Sequence, residues 1–314
     1  MKIIFFGSAH FAIPALEGLI ENKHKILCVV TQPDKKKGRH LHLGVTDVKA
    51  LALKAKLKVF QPENINTAAS VKFLNSLNAD LFVIVAYGQL LSREVLDIPR
   101  AFPINIHASL LPRYRGAAPI NWAVIRGDKV TGVTIMQVTK KMDSGSIIMQ
   151  KELSIGEDDD AVSLESKLRD MGAQLLLKAI PVIKSKGHKL TVQDERKVVY
   201  APKLKKSDGL IDWHKPALEI NNLIRGTLPW PGAFTHCKGK LLKVYKANVA
   251  DSIDCNLSIH KAGEVIDVSR GRLYVNTGKG VLSIQELQIE GKRRMKVEEF
   301  IAGHKISPGD RLGV

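Results

Sequence analysis

Residues 104–116 read INIHASLLPRYRG, an apolar run that closes on two polar side chains, Asn105 and His107, before a turn with two arginines. Residues two apart on a β-strand project to the same face. A strand here would therefore present a carboxamide and an imidazole side by side where it ends. A carboxamide can donate to a developing oxyanion without changing its own charge. An unperturbed imidazole titrates near pH ~6.5, so it gives or takes a proton at neutral pH. A carboxylate beside it would favour the charged ring and fix its orientation. These groups suit acyl transfer, in which a nucleophile attacks a carbonyl carbon and a tetrahedral oxyanion forms. The bare pair also fits a polar strand end with no chemistry, so its surroundings matter.

Those surroundings predict a sheet. KIIFFG, KILCVVTQP, ADLFVIVAYG and FPINIHAS are apolar runs separated by turns or helical patterns, notably over residues 11–21 and 92–97. This alternation predicts βαβ units and a doubly wound, mostly parallel, Rossmann-like sheet. Ligands of such sheets sit beyond the carboxyl ends of the strands, where His107 would lie. Strands follow at GVTIMQV and SIIMQKEL, with the turn KKMDSG between them, and a helical pattern spans 161–186, with Pro181 expected to bend or end it. Residues 187–207 are polar and basic and read as a linker. Beyond them short strands punctuated by Gly, Asn and Asp, with helices at 214–226 and 296–303, predict a small OB-like barrel. The expected division is a catalytic domain over 1–186, a basic linker over 187–207 and a barrel over 208–314.

Composition narrows the function classes. A chain of 314 residues with 45% hydrophobic and 25% charged residues is long enough for two cores. Its three cysteines, Cys28, Cys237 and Cys255, have no zinc spacing and read as reduced thiols of a cytoplasmic protein. No metal is expected. Gly7, His10, Pro14 and Glu17 interrupt the N-terminal apolar stretch, which argues against a signal peptide, and no run approaches a membrane span. GSAHFA at 7–12 lacks the glycines of a dinucleotide fingerprint, and no Walker P-loop is present. The net charge of +17 favours a polyanionic partner. It is spread along the chain, +10 over the first 190 residues and +7 over the rest.

The opening stretch resembles the signature of the folate-dependent formyltransferases. The matching pieces are Asn105 and His107, then Ser109-Leu110-Leu111-Pro112, Tyr114-Arg115-Gly116 and, later, Met142-Asp143-Ser144-Gly145. FGSAHFA, QPDKKKGR, VAYGQLL, GAAPINWAVIRGD, LPWPGAF and IEGKRRM extend the likeness over nearly the whole chain. The resemblance implies that Asn105, His107 and Asp143 are catalytic. It also implies that Ser109, Leu110, Leu111 and Pro112 form one wall of a folate pocket, with Tyr87, Gln89 and Leu90 in the other. Tyr114 and Arg115 are expected to be exposed, Arg115 without an assigned role, and Trp230 to sit in a packed turn.

In the tRNA-specific members of that family a basic loop containing Gly-Arg enters the acceptor stem. QPDKKKGRH places Lys35, Lys36, Lys37 and Arg39 at that position. Lys203, Lys205 and Lys206, and near the end Lys292, Arg293, Arg294 and Lys296, are further candidate phosphate contacts. The implied reaction moves a formyl group from 10-formyltetrahydrofolate to the amino group of methionine on initiator tRNA, in a cytoplasmic monomer without membrane contact. Transfer to an amino sugar nucleotide and a non-catalytic RNA-binding role are the alternatives. Phosphate binding releases counterions, so affinity for tRNA is predicted to fall steeply as salt is raised in a filter-binding titration. A flat response would point to a small acceptor.

Overall fold

The computed structural model describes residues 1–37, 42–185, 187, 189–250 and 260–313. The chain forms two compact units. The first comprises Met1–Pro119, Val130–Ser154 and Glu165–Ala201, and the second Ile120–Lys129, Ile155–Leu164 and Pro202–Val314.

Strands β1 (Lys2–Gly7), β2 (Lys25–Val30), β3 (Lys35–Lys37), β4 (His42–Gly44), β5 (Val59–Phe60), β6 (Leu81–Val85), β7 (Phe102–His107), β8 (Val130–Gln137) and β9 (Ile147–Ser154) come first along the chain. With them are helices α1 (Ile13–Glu21), α2 (Asp47–Lys54), α3 (Ala68–Ser76), α4 (Arg93–Leu96), α5 (Pro119–Ile125) and α6 (Ala161–Lys184). Seven strands make one sheet in the order β5-β2-β1-β6-β7-β8-β9. It is parallel from β5 to β7 and antiparallel through β8 and β9. The even-numbered apolar residues Ile4, Phe6, Cys28, Val30 and Phe82 share a core with Leu74 of α3 and Val95 of α4. On the other face, Gly172 of α6 lies against Ile106 and Val133, and Leu177 of α6 meets Gly18 of α1. The expected doubly wound sheet is therefore present.

Successive strands step outward from β1 through β2 to β5, then the chain crosses to β6 on the other side of β1. That reversal opens a crevice at the carboxyl ends of β1 and β6. Hydrogen bonds cross it at its base. Ser8 Oγ donates to the Tyr87 carbonyl at 3.0 Å and accepts from Gln32 N–H at 3.0 Å. Among the described residues no helix is long and apolar enough to cross a membrane.

The second unit holds α7 (Ala217–Gly226), then β10 (Ala233–Cys237), β11 (Lys240–Val249), β12 (Val265–Ser269), β13 (Arg272–Asn276), β14 (Val281–Ile289), β15 (Met295–Lys296) and α8 (Val297–Gly303). The antiparallel order is β10-β11-β14-β13-β12, with β15 on β14. Its two edge strands are bridged by residues 309–313 instead of by each other. Leu312 N–H donates to Gly263 and Gly313 N–H to His236, while Val265 N–H donates to Asp310. The segment thus links the two edges, bridging Cys237 on one side and Glu264 on the other. Ile220, Ile224, Trp213, Val244, Leu273, Phe300 and Leu312 fill the core of this unit.

Three expectations need correction. Helix α6 does not end at Pro181 but three residues beyond it, because a proline so near the helix end removes only one internal donor while its own carbonyl still accepts from Ser185. Of the expected linker 187–207, the part up to Ala201 belongs to the first unit and the rest to the second. Thr191 and Ile147 exchange both backbone hydrogen bonds, and Ala201 N–H donates to Arg115. Trp230 is 54% exposed instead of packed.

Leu312 is buried, so Leu312→Ala is expected to cost about 2–5 kcal/mol, as for other core leucines. Chemical denaturation followed by fluorescence of buried Trp213 would measure the loss.

Candidate active site

The site grows from the end of β7. Asn105 pairs with Ile84 of β6 and with Met136 of β8, and His107 pairs with Thr134 of β8, so both polar side chains rise on one face. His107 is buried. Its Nε2 lies 2.9 Å from the Tyr114 carbonyl oxygen. A carbonyl only accepts, so Nε2 carries a hydrogen there. The ring thereby turns Nδ1 toward Asp143, whose Oδ2 is 3.7 Å away. That gap is longer than a hydrogen bond and within ion-pair range. Asn105 is partly buried beside His107, and its carboxamide can both donate and accept.

The backbone on either side of Arg115 holds this pair. Tyr114, at φ 64°, supplies the carbonyl to His107. Gly116 N–H donates to Asp143 Oδ2 at 2.9 Å. Gly116 has φ 126°, and a Cβ there would lie 2.5 Å from the Ala201 carbonyl oxygen. Asp143 itself has φ 48°. Two residues on, a Cβ at Gly145 would fall 1.7 Å from the Gln137 carbonyl oxygen, so the Asp-x-Gly turn admits only glycine. Tyr114 and Arg115, expected on the surface, are 2% and 1% exposed. The reason is that residues 193–201 lie over them, which local sequence does not reveal.

The Ser109–Pro112 turn sits on β8 and β9. Thr134 Oγ1 donates to the Ser109 carbonyl at 2.6 Å and accepts from Leu111 N–H at 3.1 Å. Gln150 Nε2 reaches the Leu111 carbonyl at 2.9 Å and Thr134 Oγ1 at 2.8 Å. Ser109 Oγ closes the turn by donating to the Arg113 carbonyl at 2.6 Å. The Leu111–Pro112 peptide is cis. Ser109 and Leu111 are buried, and Leu110 and Pro112 are partly exposed.

Across the crevice, the Tyr87 ring stands edge-on to Phe6 in the core. Burial pushes its phenol up to about 12, and among the described residues its hydroxyl has no hydrogen-bond partner. Gln89 is occupied: its Oε1 accepts from Ile65 N–H at 2.9 Å and its Nε2 donates to the Glu63 carbonyl at 3.1 Å. Leu90, 74% exposed, is the side chain of this loop that stands free.

The basic loop has strand arms, since β3 and β4 pair in antiparallel register from Lys35↔Gly44 to Lys37↔His42. Asp34 pins its base by accepting from Lys49 Nζ and from Gln61 Nε2. These bonds, Lys49 foremost, hold the Asp34 carboxyl below the usual carboxylate range. Lys35 is exposed. Arg39 and the side chains of Lys36 and Lys37 lie outside the described residues. In the second unit Lys203, Lys205, Lys206 and Lys292 are exposed, as is Lys296. Arg293 is paired with Glu299 and Arg294 with Glu286.

Residues 1–180 match the Formyl transferase family, and residues 203–305 match its Formyl transferase, C-terminal domain. The chain belongs to the formyl transferase family. It is 44% identical over 313 residues to a methionyl-tRNA formyltransferase of Geobacter metallireducens, covering 100% of this chain and 99% of that one. It is 43% identical to the methionyl-tRNA formyltransferase of Alkaliphilus oremlandii, with both chains fully covered. Among solved structures it is similar to WlaRD, a sugar 3N-formyl transferase determined in the presence of dTDP and 5-N-formyl-THF. That likeness has a TM-score of 0.70 at 20% identity and covers 93% of this chain and 99% of the other.

Thr134, Gln150 and Gln193 brace this candidate site, and the sequence does not single them out. Thr134 and Gln150 stand on predicted strands, where an isolated Thr or Gln carries no signal. Asn105→Ala is expected to lower turnover by about 10²–10³, the usual cost of an oxyanion donor, and His107→Ala by about 10²–10⁴, the usual contribution of a general acid–base group, with the fold retained by circular dichroism.

Proposed function

We propose that this formyl transferase moves the formyl group of 10-formyltetrahydrofolate to the α-amino group of methionine carried on initiator tRNA. The observation that carries this reading is the His107–Asp143 pair beside Asn105, in a chain similar along its whole length to methionyl-tRNA formyltransferases. In this reading Asn105 donates its amide hydrogen to the formyl oxygen as negative charge develops there. His107 exchanges protons with the reacting nitrogens. Asp143 holds the imidazole in place and balances its charge. A free α-amino group titrates near ~7.7–8.0, so part of it is already neutral and nucleophilic at working pH.

The folate is assigned to the crevice bounded by the turn from Ser109 through Leu110 and Leu111 to Pro112 and by the loop of Tyr87, Gln89 and Leu90. The residues fit such a guest unequally. Exposed Leu90 and half-exposed Leu110 and Pro112 offer apolar surface for a flat ring. Ser109, Leu111, Tyr87 and Gln89 spend their side chains on holding the walls. The family implies a formyl-folate donor, and one similar protein was solved with a formylated tetrahydrofolate.

For the acceptor, Lys35, Lys36 and Lys37 of β3 and Arg39, which follows in the sequence, with Lys203, Lys205 and Lys206, are assigned to tRNA phosphates. The first unit would do the chemistry and the second would bind tRNA, as a cytoplasmic monomer. Incubating the protein with methionyl initiator tRNA and 10-formyltetrahydrofolate tests this directly. The expected product is N-formylmethionyl-tRNA. Formylation of a dTDP-amino sugar, with none of the tRNA, would overturn the reading.

A further inference from the structure

Arg115 is a charged side chain inside the first unit, 1% exposed, in a motif to which the reaction gives it no part. Its Nε donates to Gln193 Oε1 at 3.0 Å, and its Nη2 donates to Glu195 Oε1 at 2.8 Å. Glu195 in turn receives Lys141 Nζ at 3.2 Å, from the segment that leads to Asp143. Both partners lower the Glu195 pKa, Arg115 more than Lys141.

The more telling contact is on the far side of Gln193. With its Oε1 bound by Arg115, the Gln193 amide must present its NH₂ in the opposite direction. That group donates to the carbonyls of Asp143, at 2.9 Å, and Gly145, at 2.7 Å. Gln193 is itself buried. Arg115 therefore reaches the Asp143 turn twice, through Gln193 to its backbone and through Gly116 N–H to the Asp143 carboxylate. Its other neighbour, Tyr114, holds His107 Nε2. The His107 ring and the Asp143 carboxylate are thus held by Tyr114 and Gly116, the two neighbours of Arg115, while Gln193 holds the Asp143 and Gly145 carbonyls.

We propose that Arg115 and Gln193 are positioning residues. They fix the Asp143 carboxylate against His107 Nδ1 and so set the rate of the transfer without touching either substrate. Lysine at 115 would keep the charge but lose the two-pronged fork. Methionine at 193 would keep the length but lose both the acceptor and the two donors.

This rests on the catalytic reading of the pair, so the test needs one readout that depends on that reading and one that does not. In steady-state formylation, Gln193→Met and Arg115→Lys are each expected to lower kcat by about 10–100-fold, the scale of a ~1 Å misplacement, with KM for folate and tRNA changed less than twofold. In an Asp143→Asn background the same changes are expected to cost under threefold, because residues acting through one group are not additive. Independently of any substrate, ¹⁵N spectra of the His107 ring nitrogens should differ between wild type and Gln193→Met. If His107 signals are unchanged and kcat falls equally in both backgrounds, or not at all, the proposal is overturned. If Gln193→Met does not fold, Arg115→Lys decides by the same three measurements. Should the protein formylate no tRNA, the ring spectra still decide whether Gln193 sets the imidazole's surroundings.

Discussion

The Asp143 carboxylate has to meet His107 from a different loop, and the rest of the first unit is arranged around that meeting. The two groups stand 3.7 Å apart, side chains 6% and 15% exposed. Burying charge is costly unless each group is paired and hydrogen-bonded. The two groups face each other, and backbone supplies the hydrogen bonds. A carbonyl from Tyr114 and an N–H from Gly116 hold the imidazole and the carboxylate, and these belong to residues that flank one arginine. Because peptide groups replace flexible side chains in this role, the geometry is set by the path of the chain. That path is unusual locally, with positive φ at Tyr114, Gly116 and Asp143. Such conformations persist only where the surroundings over-determine them.

The surroundings do so from two directions. Below, Thr134 and Gln150 on β8 and β9 bind the carbonyls and N–H groups of the Ser109–Pro112 turn. Above, residues 191–201 return to the unit and add Gln193, Glu195 and the Ala201 backbone. Each such bond nets only about 0.5–1.5 kcal/mol, and several acting on one turn make an alternative path unfavourable. A segment whose composition suggests a solvated tether is thereby part of the buttress. Its basic, polar texture follows from having one edge in water and the other bonded to backbone groups, so it needs few apolar residues.

The carboxyl-edge crevice offers a second case of division of labour. Tyr87 and Gln89, which resemble pocket residues by position, place their side chains in the core and in the neighbouring loop. The Tyr87 carbonyl, held by that anchor in the core, accepts from Ser8 Oγ and Gln32 Nε2. The basic hairpin follows the same pattern, with Asp34 held by Lys49 and Gln61 at its base.

Much of this was legible in the residues. Alternating apolar runs determined the strands of the parallel sheet, because burial on both faces demands them. The spacing of Asn105 and His107 determined that they share a face, and the glycine of the Asp-x-Gly turn is required by a carbonyl it nearly touches. Tertiary structure alone decided which groups are buried: Arg115, Tyr114 and Gln193 look like surface residues because nothing within a few positions covers them. It alone linked the edge strands of the second unit through residues 309–313 and brought the carboxylate to the imidazole. Contacts between distant segments depend on how elements pack, and a local pattern carries no record of what will lie on top of it.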